Sequence, residues 1–188
     1  IFRGINLEYF NANNVSEDKK NILASSWKID KKNFIILLPG RLTKWKGQEI
    51  FIESLSTLIK EYKKENFHAI ILGSNQGREI YYKKLILLVE RYRLGKKISF
   101  IENCKEMPLA YNLSDLVISS SIEPEAFGRV AVEAQAMTKP IIASNIGGSR
   151  ETVLNGKSGL LYKYNDQKEL AKAMNKIMEM DKNSLRLM

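Results

Sequence analysis

The sequence predicts an α/β fold: a doubly wound, Rossmann-like parallel sheet of about six strands with helices on both faces. Three observations lead there. From residue 34 onward, short apolar runs alternate with longer segments of helical period. The apolar runs are continuous rather than alternating, as in strands buried on both faces. The glycines, serines and charges that could carry chemistry fall just after these runs, where open α/β sheets bind their ligands.

Taken in order, Phe34-Ile-Ile-Leu-Leu38 reads as a buried strand stopped by Pro39-Gly40. Residues 47–64 read as a helix, with Phe51, Leu55, Leu58, Ile59 and Tyr62 at helical spacing. His68–Leu72 is the second strand, closed by Gly73, and a helix from Glu79 to Tyr92 follows it. Ile98–Ile101 is a third strand, Met107–Leu113 a short helix, and Leu116–Ser119 the fourth strand. Gly128–Met137 is helical, and Pro140–Ala143 makes the fifth strand. Beyond the Gly147-Gly148 turn come a short helix near Arg150 to Leu154 and a last strand, Leu160–Tyr162. A final amphipathic helix carries Leu170, Ala173, Met174 and Ile177 on one face. The first thirty residues lack this rhythm. They read as a linker with a short helix around Asp18 to Ala24, leaving residues 31–188 as the ligand-binding domain.

Bulk properties narrow the function. A chain of 188 residues, 44% hydrophobic and 27% charged, suits one globular domain. Thirty basic against twenty-one acidic residues give a formal charge of +9, an attraction for polyanions such as phosphorylated small molecules or anionic lipid headgroups. Part of that excess is solvated helix surface, as at Lys60, Lys63 and Lys64. Nucleic acid is not expected as a partner, because no basic stripe is interleaved with stacking aromatics. One cysteine, Cys104, and one histidine, His68, cannot make a disulfide framework or supply the usual zinc ligands, so no zinc site is expected. His68 is expected to serve packing or surface. No apolar run spans a membrane and no signal-peptide pattern stands at the start. The expected compartment is the cytoplasm, with the inner membrane face as a peripheral docking place. The chain opens at Ile1 and is expected to be a piece of something longer.

Two segments concentrate the chemistry. Gly40-Arg-Leu-Thr-Lys-Trp-Lys-Gly47 puts Arg41 and Lys46 in a glycine-bounded turn after the first strand. Such cations suit a diphosphate, the arginine as a bidentate fork and the lysine as a point charge. The turn has no GxxxxGK[ST] spacing and no GxGxxG follows, which argues against ATP hydrolysis or dinucleotide binding. The second segment is Glu125-Ala-Phe-Gly-Arg-Val-Ala-Val-Glu133. Glu125 is confined to a loop between Pro124 and Gly128. Glu133 lies roughly 7 to 8 Å further along the helix axis, too far for a close acid–base pair. The first amides of the helix, near Phe127, Gly128, Arg129 and Val130, point toward an anion. The two glutamates then suit two hydroxyl-bearing ends of one ligand. Among Ala131, Val132, Ala134 and Ala136, Glu133 also needs a polar partner of its own. Glu123, a second acid two residues earlier, leaves open which glutamate meets the ligand.

In this order the segments resemble the C-terminal, donor-binding half of a GT-B glycosyltransferase, of the retaining group 1 (family 4) type that includes sucrose and mannosyl transferases. Arg3-Gly-Ile-Asn-Leu-Glu-Tyr-Phe10 is similar to the family's interdomain linker, with Arg-Gly for the usual Asn-Gly. Gly40-Arg-Leu…Lys46-Gly47 resembles its G-R-hydrophobic…K-G segment. Ile98–Ile101 precedes the base-binding loop, and Asp115–Ser121 resembles its A-D-hydrophobic-x-hydrophobic-x-P-S strand, with Ser119-Ser120 for Pro-Ser. Glu125–Glu133 is similar to its E-x7-E motif, followed by Pro140-Ile-Ile-Ala-Ser and Gly147-Gly148.

The resemblance implies roles. Arg41 and Lys46, with Gly40, would meet the diphosphate of a UDP- or GDP-sugar. Glu125 would contact the sugar, Glu133 the ribose, and the amides of Phe127, Gly128, Arg129 and Val130 the sugar and phosphates. The base would lie near Asn103 and Cys104. Transfer would retain configuration, need no cofactor or metal, and use an envelope glycan or lipid-linked acceptor of lipopolysaccharide or capsule type. The acceptor-binding N-terminal domain of the same parent chain would be a required partner. The last crossover helix would be cut short at Met188, and the fragment alone inactive. Two other readings stay open on the residues: a nucleotide-sugar epimerase on the same scaffold, and a non-catalytic anion-binding α/β module.

Overall fold

Six parallel strands form the sheet in a computed structural model that describes residues 4–181 and Leu185. They are β1 (Phe34–Pro39), β2 (Phe67–Leu72), β3 (Ile98–Ile101), β4 (Leu116–Ser119), β5 (Ile141–Ser144) and β6 (Leu160–Tyr162). Among the described residues seven α-helices are complete: α1 (Glu17–Ser26), α2 (Gln48–Tyr62), α3 (Glu79–Arg91), α4 (Met107–Leu113), α5 (Arg129–Ala136), α6 (Ser149–Thr152) and α7 (Gln167–Glu179). The expected α/β architecture is therefore present. Arg3 of the linker segment and the chain end at Met188 lie outside the described residues.

Successive residues of a strand point to opposite faces, and β1 divides its side chains accordingly. Ile36 and Leu38 join the core made with α2, α3 and α7, including Phe51, Leu85 and Leu170. Ile35 and Leu37 join the opposite core, with Ala24 of α1, Tyr111 of α4 and Val130 and Ala131 of α5. Both faces are covered, which accounts for the unbroken apolar runs. The leading segment takes part: Phe10, Ala24 and Ile29 are buried in the second core. Asn6 shapes the chain before it by accepting from the amides of Glu8 and Tyr9. Two of the α-helices have side-chain caps, with Ser16 accepting from Lys19 N–H at α1 and Asp166 from Lys168 and Glu169 N–H at α7.

Strand order is β3-β2-β1-β4-β5-β6, so the winding reverses between β1 and β4. The backbone shows why a crevice opens there. Odd-numbered residues of β1 turn their peptide groups to β4: Ile35 accepts from Asp115 N–H and donates to the Asp115 carboxylate, at 2.8 and 2.7 Å. Pro39 comes up in that same direction and has no N–H to give. The β1–β4 register ends at Leu37 and Val117, while Gly40 and Leu42 go on bonding toward β2 at Leu72 and Ser74. The two central strands thus part at their carboxyl ends.

Beyond the parting, their loops are re-tied. Lys44–Lys46 winds into one 3₁₀ turn, a detail the periodicity does not reveal. Ile122 N–H reaches Trp45 O at 2.8 Å, and Ser120 Oγ reaches Lys46 O at 3.0 Å. Gly47 sits in the left-handed region at φ 71°, and a Cβ there would stand 1.9 Å from Ser120 O. Both conformation and contact demand glycine. Gly47→Ala should therefore cost at least about 2 kcal/mol of unfolding free energy. A urea titration giving an unchanged midpoint would show that the two loops are not tied at this point.

Candidate functional site

Opening onto the parted strands is a cleft of about 530 Å³, a volume typical of small-molecule sites. The loop after β1 supplies Gly40, Arg41, Trp45 and Lys46, and the loop after β4 supplies Pro124, Glu125, Ala126, Phe127 and Gly128. Arg129, Val130 and Glu133 come from α5, and Met107 and Tyr111 from α4. Of the ligand-binding residues expected from the sequence, all but Asn103 and its neighbour Cys104 line this one cleft. Asn103 is exposed in the β3–α4 loop, and Met107, four residues on, reaches the wall instead. Cys104 is half-buried and donates to Glu106 O, with burial pushing its thiol pKa up. His68 packs on the sheet against Ser99 Oγ, 2.8 Å away, remote from the cleft.

Lys46 and Glu125 meet across the mouth of the cleft, Nζ to Oε1 at 2.8 Å, each side chain about 15% exposed. Lys46 also lies over the Trp45 ring, 4.5 Å from its centroid, a cation–π contact that fixes its direction. Ser121 Oγ donates to the same Glu125 oxygen. The glycine turn after β5 holds the Glu125 loop from behind: Gly148 N–H reaches Glu125 O at 2.7 Å. A Cβ on Gly147, at φ 57°, would come within 2.6 Å of that oxygen. Glu123 is exposed and outside the cleft wall, whereas Glu125 is part of that wall.

α5 begins at Arg129 after Gly128, whose left-handed φ of 72° lets the chain turn sharply into the helix. The first amides of a helix have no intrahelical acceptor, and those of α5, on Arg129 and Val130, belong to residues of the cleft wall. At the far end Glu133 is only 7% exposed. It has the polar partners its apolar setting demands: Tyr111 donates to Oε2 at 2.7 Å, and Arg129 approaches Oε1 at 2.9 Å. Burial first, and the Glu133 charge next, hold the Tyr111 phenol well above its usual range, so it stays protonated and donating.

Tyr111, Trp45, Met107 and Ser121 are site residues that the sequence does not single out. Tyr111 reads as one more apolar position of α4, and Ser121 as the tail of a serine run. The only signal toward them is indirect, the need of Glu133 for a partner. Along the same wall a second cleft, lined by Gly4–Asn6, Tyr9 and Phe10, shares Met107, Phe127, Arg129 and Glu133. Arg41 itself is exposed and anchored through its carbonyl, which accepts from Gln48 Nε2 at 2.9 Å.

Known proteins resemble this chain in sequence and in fold. The family described as glycosyl transferases group 1 matches residues 19–187. The D-inositol 3-phosphate glycosyltransferase of Corynebacterium urealyticum is 31% identical over 150 residues, 78% of this chain and 35% of that protein. The capsular polysaccharide biosynthesis glycosyltransferase CapM of Staphylococcus aureus is 27% identical over 176 residues, 93% of this chain and 43% of that one. Among solved structures, Anabaena HepE in complex with UDP and glucose superposes on all of this chain with a TM-score of 0.88 at 29% identity, 48% of its own length. The chain thus spans less than half the length of each of these relatives.

The Lys46–Glu125 pair makes a direct prediction. Lys46→Met leaves a partly buried carboxylate uncompensated and should cost about 1–3 kcal/mol. Lys46→Met with Glu125→Gln should recover most of that loss. A urea-unfolding cycle in which the two changes simply add would mean the pair is not coupled.

Proposed function

Since the chain belongs to the glycosyl transferases group 1 family, we propose that it is the donor-binding half of a retaining glycosyltransferase. The observation that carries this reading is a single cleft, at the reversal of a doubly wound sheet, lined by Arg41, Lys46, the first turn of α5, Glu125 and Glu133. A nucleoside-diphospho-sugar matches it part for part. Cations and helix amides suit the diphosphate, Glu125 the hydroxyls of the sugar, and Glu133 the hydroxyls of the ribose. HepE, solved with UDP and glucose, supports a donor of this class.

In the reaction, the bond from the anomeric carbon to the diphosphate oxygen breaks and its electron pair leaves with the diphosphate. Arg41, Lys46 and the amides of Gly128 to Val130 stabilise that growing charge, a form of electrostatic catalysis. Glu125, held by Lys46 and Ser121, fixes the sugar as the bond loosens. Charge neutralisation by these groups makes the reaction metal-independent. The acceptor enters from the N-terminal domain of the parent chain, on the face the diphosphate leaves. Its hydroxyl oxygen bonds the anomeric carbon, and its proton passes to the departing diphosphate oxygen. Its chemistry in this proposal is an envelope glycan or lipid-linked sugar, a class that the name of CapM supports. The +9 charge suits work at the cytoplasmic face of an anionic membrane.

Calorimetric titration of this chain with UDP, GDP and ADP should reveal binding to at least one. Arg41→Ala and Lys46→Ala should each weaken it at least about tenfold; unchanged affinity in both would refute the diphosphate site. The full-length parent should keep its rate in EDTA and give a product with the anomeric configuration of the donor. An inverted product or a rate abolished by chelation would overturn that part of the mechanism.

A further inference from the structure

We propose that Tyr111 is a positioning residue that locks the Glu133 carboxylate in the orientation that receives the ribose, and so makes the site select ribonucleotide donors. The inference rests on the reading of Glu133 as the ribose acceptor. Glu133 needs such a lock. Its carboxylate stands in the wall of two adjoining clefts and could turn into either.

The two groups that hold it are unequal. Arg129 approaches Oε1, but its side chain is 69% exposed, and an exposed i,i+4 pair is weak and easily exchanged for water or ligand. Tyr111 is fully buried and reaches Oε2 at 2.7 Å. Its ring is wedged edge-on against Phe10, centroids 6.0 Å apart, on a helix packed under the sheet. A carboxylate oxygen has two acceptor sites. The phenol fills one on Oε2, on the buried side, and leaves the other for a ligand hydroxyl. Staying protonated, Tyr111 keeps its O–H as a donor to Glu133. Arg129 then serves as the removable partner, and Tyr111 as the fixed one.

The test compares UDP with its 2′,3′-dideoxy analogue, and GDP with its own, by calorimetry on this chain. Wild type should prefer the ribonucleotide. Tyr111→Phe keeps the ring and its Phe10 contact, and should lower ribonucleotide affinity about tenfold while leaving the dideoxy analogue within about twofold. In a Glu133→Ala background the same change should have no further effect on ribose preference. Replacing Tyr111 with p-aminophenylalanine, which keeps a donor at the same place, should restore the preference and guards against a folding defect in the phenylalanine variant. Equal loss for both analogues would assign Tyr111 to packing alone and overturn the proposal, as would no loss at all. Wild type that binds both analogues equally would overturn it at Glu133. Wild type that binds neither these four ligands nor ADP would instead sink the proposed function itself.

Discussion

The parting of β1 from β4 is the constraint on which the rest of the site depends. Parallel strands hold together only while each peptide group finds its partner. Ile35 finds Asp115 twice over, at the amino end of the pair. Pro39 has no donor to offer β4 at the carboxyl end. The ladder is thus fastened at one end and released at the other, within a strand of six residues. Everything that faces the cleft hangs from that release. The loop after β1 continues along β2, the loop after β4 bends away toward α5, and the gap between them becomes ligand space.

Into that gap the chain places two carboxylates, each already engaged from the protein side. Glu125 has Lys46 and Ser121; Glu133 has Tyr111 and Arg129. Neither is a bare buried charge, which would be costly, and each keeps capacity for further hydrogen bonds. The supporting partners also fix direction. Trp45 under Lys46, the Gly147-Gly148 turn behind Glu125 and Phe10 beside Tyr111 limit how far these groups can swing. Polar residues oriented before a ligand arrives need little reorganisation when charge shifts within it.

Much of this fold is legible in the sequence because both sheet faces are covered. Unbroken runs such as Phe34–Leu38 and Leu116–Ser119 are too short for a buried helix and too apolar for a half-exposed strand. The helices α2 and α7 carry clear helical periods. Boundaries differ by a residue or two: α2 starts at Gln48 rather than Gly47, and β5 at Ile141 rather than Pro140. The cleft is legible to the extent that its residues are charged or flank glycines, as with Arg41, Lys46, Glu125 and Glu133. What stays hidden is contact between distant segments. Nothing local in Ser121 or Tyr111 announces a carboxylate partner. Asn103, a polar residue of the β3–α4 loop, is exposed outside the cleft wall, while Met107 of α4 is part of it. The 3₁₀ turn at Lys44–Lys46 is likewise too short to leave a period.

The seat of Phe10 has a practical consequence for anyone grafting this chain into a chimera. By rhythm alone, a graft junction belongs near residue 30, ahead of the first strand. A cut there would strip Phe10, Ala24 and Ile29 from the core under α4 and remove the ring that braces Tyr111. The transplanted piece would carry every charged residue of its cleft and still lose the backing of one wall. A junction placed ahead of Asn6 keeps the turn that delivers Phe10, so the modular unit is longer than its alternation of strands and helices suggests.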